Sequence, residues 1–258
     1  MTAGVILAFV LGLIFGSFGT VAAYRIPRHE TIVTGRSKCP NCGRQIKAHE
    51  NIPVVSYLIL RGKCPGCGTR ISLRYPATEL ATAVLFALSV VKFDVSVTAA
   101  VYAGFFWALV VLTVIDLEHK LLPNRIVYPT FVAGWAGLVA AALIDGDTDR
   151  LRSAALGAVV FGGFFFVVAF IYPAGMGGGD VKLAFVLGTF VGYAGGVGAV
   201  LAGMFLSFLL GGVIGIVAMK LSGAGRKTQI PFGPFLALGS VIAIFLGERI
   251  VDAYVEFL

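Results

Sequence analysis

Two aspartates stand where apolar segments give way to polar ones. Asp180 lies in the run Gly175-Met176-Gly177-Gly178-Gly179-Asp180-Val181-Lys182, and Asp116 follows Leu112-Thr113-Val114-Ile115. The three glycines Gly177, Gly178 and Gly179 carry no side chain that could keep water or another backbone away from the carboxyl. An ionisable group at a membrane boundary is expensive and marks a functional site. Asp180 alone reads equally as the N-cap of the helix that follows. The second aspartate, in a similar setting, favours catalysis. Two carboxyls brought together in a partly dry site share a proton and titrate as a pair. The ionised member can draw a proton from a water attacking a carbonyl, while the protonated member donates to the carbonyl oxygen. Other hydrolytic schemes lack their residues: no Gly-x-Ser-x-Gly elbow and no His-Glu-x-x-His motif occurs. Glu118, His119 and Lys120 read as an ordinary charged loop after Asp116. Lys182 could orient a peptide or bias the pair, but reads better as a snorkelling anchor.

All four cysteines fall in two Cys-x-x-Cys knuckles, Cys39-Pro40-Asn41-Cys42 and Cys64-Pro65-Gly66-Cys67, separated by 21 residues. Each knuckle turns two thiolates toward one metal, and four close a tetrahedral zinc site. With every position filled by sulfur, the metal is structural, and its binding folds a loop too small for a core. Two disulfides, or a redox pair, are the rival readings. A reducing compartment argues against the first, and the lack of a surrounding βαβ pattern argues against the second. His29 and His49 are read as loop residues, not ligands.

The elements that must position these groups follow from composition. The 258 residues are 58% hydrophobic and 13% charged, against about 25% charged in soluble domains. Mean hydropathy is +0.94. Apolar runs near the ~20 residues that cross a bilayer recur along the chain, and 34 glycines suit close helix packing. The expected fold is an all-α polytopic membrane protein of about eight transmembrane helices with a small cytoplasmic zinc-ribbon-like insertion. Spans are predicted near 4–23, 77–91, 95–115, 126–144, 153–172, 181–194, 197–219 and 234–254. The expected organisation is a first transmembrane helix (1–24), a cytoplasmic four-cysteine loop (25–76) and a transmembrane core (77–258). The sixth span is short, roughly 21 Å long against a hydrocarbon core of about 30 Å, which suggests a thinned bilayer beside Asp180.

Of the 20 basic residues, 16 fall on one side of this topology and four (Lys92, Arg150, Arg152, Arg249) on the other. The positive-inside rule then places the N-terminus outside and both aspartates at the cytoplasmic face. The basic excess reads as this topology signal and as a partner for anionic lipid headgroups, and no nucleic acid is expected. A transporter or channel using the aspartates as ion ligands is the alternative. It predicts charged residues deep within spans, whereas the span centres are apolar.

The motifs resemble those of the type IV prepilin peptidases, polytopic aspartic proteases of the bacterial inner membrane. The likeness runs through Gly16-Ser17-Phe18, Tyr24-Arg25-Ile26-Pro27, the cysteine loop with Glu50-Asn51-Ile52-Pro53, and Arg74-Tyr75-Pro76 with Glu79-Leu80. It continues through Asp116 to Leu122-Pro123, Gly175 to Leu183, and Pro231-Phe232-Gly233-Pro234-Phe235. The resemblance implies cleavage of the basic leader of prepilins and pseudopilins, after a glycine and before the hydrophobic helix. It implies Asp116 and Asp180 as the catalytic pair, in a motif also similar to that of presenilin-type proteases. Many members with the four-cysteine loop methylate the new N-terminus using S-adenosylmethionine. Glu79 is the candidate residue for that half, and equally a carboxylate favoured by a helix N-terminus. Thr20 and Asn124 depart from the usual Asn and Asp of the family.

Overall fold

In a computed structural model the chain is described over residues 1–173, 176–222 and 231–257, the side chains at 218–222 excepted. Gly175 of the glycine run, Ile230, and the basic residues Arg226 and Lys227 lie outside the described residues, as does the side chain of Lys220. The described residues are mostly helical, and they contain no β-strand beyond two isolated bridges. The helices are α1 (Thr2–Arg25), the short α2 (Val55–Ile59), α3 (Arg74–Phe93), α4 (Val97–His119), α5 (Asn124–Asp145), α6 (Asp149–Ile171), α7 (Gly178–Ser222) and α8 (Gly233–Phe257). All but α2 are long and apolar enough to cross a membrane, which makes this a multi-pass membrane protein.

Among the described residues the seven long helices give eight apolar segments, because α7 is two arms. Gly195 (φ −152°, ψ 18°) and Gly196 (φ 70°, ψ −172°) break it, and the positive φ of Gly196 is one that L side chains rarely adopt. The partners along α6 show the reversal. From Ser153 through Gly157 to Gly162, the facing first-arm residues fall from Gly192 through Gly188 to Phe185. The second-arm partners climb instead, from Val200 beside Gly157 to Phe208 stacked on Phe165 at 5.5 Å. The arms therefore run in opposite directions, matching the two spans expected at 181–194 and 197–219. The first arm starts at Gly178, earlier than expected, and its length to the break is about 25 Å. About half of the anticipated mismatch disappears, because Gly178 and Gly179 are themselves helical.

The chain divides into two compact units, Met1–Ile115 and Asp116–Leu258. In the first, α1 lies against α3 with almost no side chain between them: a Cβ on Gly12 would stand 2.5 Å from the Ala83 Cα, and one on Gly16 2.6 Å from the Glu79 Cα. Small residues of this kind let membrane helices approach backbone to backbone. Trp107 of α4 donates to the Phe15 carbonyl at 2.9 Å and stacks on Phe18. Ser96 caps α4 by accepting the Ala99 amide. After α1, Arg25 donates to the carbonyls of Thr31, Thr34 and Gly35, tying the start of the cysteine loop to the helix end.

In the second unit, α8 packs along the second arm of α7. Gly203 meets Ala243, Gly239 meets Ser207, and Gly211 meets Phe232 and Phe235. An aromatic group of Phe165, Phe208, Phe232 and Phe235 closes that end of the packing.

Candidate active site

Asp116 lies one turn before the end of α4, not in a loop. The helix runs through Glu118 and His119 and stops at Lys120, whose φ of 52° leaves helical space and whose amide still bonds to the Asp116 carbonyl at 2.8 Å. The polar sequence after Asp116 suggested a loop, but a helix end needs no apolar residue on its exposed side, and α4 simply extends. The Asp116 side chain is buried, and its Oδ2 accepts the Gly233 amide at 3.0 Å. Gly233 opens α8, so this amide is one of the donors that a helix start leaves unpaired.

Asp180 is half-buried in the first turn of α7, where its amide bonds to the Gly177 carbonyl at 3.0 Å. Leu122 joins the two surroundings. A Cβ on Gly179 would lie 3.0 Å from the Leu122 Cβ, and one on Gly233 would lie 3.5 Å from its Cδ2 and 2.6 Å from the Asp116 Oδ2. Gly177 is as tightly constrained, its Cβ position being 3.0 Å from the Asp180 Oδ2. The residues beside the two carboxyls, Gly179 next to Asp180 and Gly233 bonded to Asp116, thus close on one leucine. Gly178 is exposed with nothing against it.

Lys182 is not directed at the pair. Its Nζ donates to Asn124 Oδ1 at 3.1 Å and stands 5.5 Å from the centre of the Tyr128 ring, so it ties the start of α7 to the start of α5. Asn124, noted in the sequence only as a departure, is its acceptor.

The four cysteines form a cage. All four Sγ atoms lie within 4.8 Å of one another, and the Cys39 and Cys67 sulfurs are 3.8 Å apart. Tetrahedral zinc with bonds of about 2.3 Å sets its sulfurs about 3.8 Å apart, so the donors fit such an ion. The knuckles repeat one design. Cys39 and Cys64 each accept the amide of a positive-φ glycine, Gly43 or Gly68. The Cys39 amide reaches the Arg44 carbonyl and the Cys64 amide the Thr69 carbonyl. The hydroxyl and amide of Thr69 and the Asn41 side chain pull the Cys67 thiol down to about 6, whereas Cys42 is pushed up to about 11 despite the Arg44 amide, by burial and its neighbouring thiols. A site whose thiols resist ionising together is one that a cation completes.

Two family profiles match the chain: the Bacterial Peptidase A24 N-terminal domain over residues 10–93 and the Type IV leader peptidase family over residues 103–216. A Bacillus subtilis (strain 168) protein named "Prepilin leader peptidase/N-methyltransferase" is 37% identical over 96% of this chain and 96% of its own. One of the same name from Pseudomonas aeruginosa is 34% identical over 98% of this chain and 94% of its own. The chain belongs to the type IV leader peptidase family. It is an enzyme of a peptidase family. No solved structure matches it.

Within this family frame, the first profile covers the cysteine cage and Glu79, and the second covers Asp116 and Asp180. Gly233 lies beyond both. The sequence resemblance included its Pro-Phe-Gly-Pro turn but did not single out its amide. A glycine ahead of a proline at a helix start is the available signal, since it leaves a free donor with no side chain in the way. Glu79 belongs to the first unit. It is buried, its Oε2 accepts the Val54 amide at 2.7 Å, and the Ser17 hydroxyl lies beside it.

Proposed function

We propose that this enzyme is a membrane aspartic endopeptidase that removes the leader of prepilins or pseudopilins, with Asp116 and Asp180 as its catalytic pair. The meeting at Leu122 of Gly233, whose amide holds Asp116, and Gly179, which precedes Asp180, supports this reading above all else, and the relatives' names supply the substrate class. The ionised carboxyl takes a proton as a water oxygen bonds to the scissile carbonyl carbon. The protonated carboxyl gives its proton to the carbonyl oxygen. Collapse of the tetrahedral intermediate breaks the C–N bond, the amine leaves with a proton, and the shared-proton state returns. The Gly233 amide fixes the plane of the Asp116 carboxyl by holding Oδ2, leaving Oδ1 to face Asp180 or water. The exposed glycines Gly177 and Gly178 leave room for an extended peptide beside Asp180.

The basic-residue asymmetry supports an inner-membrane orientation with the N-terminus outside and the aspartates at the cytoplasmic face. A pilin's apolar segment would then lie in the bilayer while its leader reaches the pair. Cys39, Cys42, Cys64 and Cys67 hold a structural Zn2+, which cross-links the loop and takes no part in hydrolysis. The names of the relatives also support a second activity, methylation of the new N-terminus from S-adenosylmethionine, with Glu79 its candidate residue. No comparable support exists for a transporter.

The test is cleavage of a prepilin in lipid nanodiscs by wild type, Asp116→Ala and Asp180→Ala. Each variant is expected to lose about 10³-fold or more in kcat, the scale of acid–base catalysis. Full activity in either one excludes the pair. Methyl transfer to a pre-cut pilin that persists in both would leave the second activity standing alone.

A further inference from the structure

The short helix α2 is turned inside out for a loop in water. Val55, Leu58 and Ile59, spaced i, i+3, i+4, share one face, and they are 47, 67 and 73% exposed. The polar residue between them, Ser56, is buried on the other side, where its Oγ accepts the Ile52 amide at 2.9 Å and donates to the His49 carbonyl at 2.8 Å. Soluble surface helices put their apolar stripe inward. This one spends its polar group on the interior and leaves its apolar face uncovered.

Its depth says what covers it. Glu79 Oε2 holds the amide of Val54, the residue before α2. Glu79 lies five residues inside the spanning helix α3, about 7.5 Å along its axis. The polar zone on each side of a bilayer is about 5–8 Å thick, so α2 begins at the level where headgroups meet acyl chains. The hold is firm enough to keep a valine at φ 59°, ψ −48°, with Val55 bonded back to Pro53, a strained γ-turn that a β-branched residue adopts only under constraint.

A second exposed apolar residue of the loop lines up with a lipid-facing row. Leu73, 71% exposed, is in helical register with the exposed Leu80, Val84 and Val91 of α3, all within about 20° on the helix wheel. Arg61, Lys63 and Arg70, which follow α2 in the loop, are exposed, the complement of phosphate headgroups. The nearby acid, Glu50, is already paired with Arg44 at 2.7 Å.

We propose that the Val55–Leu58–Ile59 face of α2, extended by Leu73, inserts into the headgroup–acyl boundary of the bilayer and fixes the height of the four-cysteine loop beside α3. Short apolar faces flanked by basic residues anchor in this way at membrane interfaces. The cage is thereby suspended from the membrane at α2, between its two knuckles, as well as at the ends of α1 and α3.

Benzoylphenylalanine placed singly at Leu58, Ile59 or Leu73 of the full chain reports the occupant directly. The chain is set in nanodiscs of phosphatidylglycerol and phosphatidylethanolamine, with a prepilin peptide present or absent. Gln45, exposed on the first knuckle, is the control position, and only variants that elute as the unsubstituted protein does are irradiated. Mass spectrometry is expected to find lipid adducts at all three positions, without the peptide, and none above background at Gln45. Adducts to the prepilin peptide alone, adducts to a second copy of the chain, or no adduct at positions 58 and 59 would each overturn the proposal.

Discussion

The cysteine cage and the aspartate pair differ in how much fold each one needs. The cage is assembled by two copies of one local turn, and four like atoms that fit one ion complete it. The pair comes from the ends of two helices distant in sequence, with a third helix supplying an amide. A cage of this kind owes its shape to its ligand. The pair owes its shape to glycines that let backbone and leucine come close. The first should therefore fail when its ion is removed, and the second when a methyl group is added.

The largest effect separates them most sharply. Removing metal with a chelator, or Cys64→Ser, takes away an interaction whose apparent worth in small zinc modules is about 10–16 kcal/mol. Amide exchange over the two knuckles, 38–46 and 63–71, should rise to that of an unfolded loop, while residues around Asp180 keep their protection. Elemental analysis should find about one zinc per chain beforehand. Equal loss of protection in both regions would erase the distinction.

Gly233→Ala makes the reverse cut. Its Cβ would sit 2.6 Å from Asp116 Oδ2 and 3.2 Å from Cγ, so the carboxyl must move. Misplacing a catalytic group by an ångström costs about 10²-fold. We expect kcat to fall by that order with KM little changed and the metal retained.

Glu50→Gln gives the smallest and most local effect. Its carboxyl, bonded to Arg44 at 2.7 Å and to the Lys47 amide at 2.9 Å, is held below the ordinary 4.5 chiefly by the Arg44 guanidinium. A depressed acid stabilises the fold above its unfolded value, and that contribution is lost as pH falls through the folded one. Loop protection in wild type should exceed that of Glu50→Gln at pH 7, and the gap should close below pH 4.5. A gap that widens on acidification would contradict the pairing.

Legibility in the sequence follows the same divide. Cys-x-x-Cys spacing fixes donors within a few residues, so the cage could be read off directly, and hydropathy marked the spans because bilayer thickness sets their length. The reversal at Gly195 and Gly196 was legible as a gap between two apolar runs. The end of α4 was not, since polar residues after Asp116 continue a helix as readily as they form a loop. The bond from Lys182 to Asn124 was beyond reach because side-chain pairing across helices leaves no local pattern. The Gly233 amide was hidden for a simpler reason: a backbone donor has no residue type to betray it.

The central claim is that Asp116 and Asp180 act as one unit. Single-turnover cleavage of a prepilin should be measured for wild type, Asp116→Asn, Asp180→Asn and the double variant in the same nanodiscs. Groups that act together lose nearly everything with the first substitution, so both single variants should be about as slow as the double. Losses that multiply, with the double far slower than either single, would mean that the two carboxyls work apart.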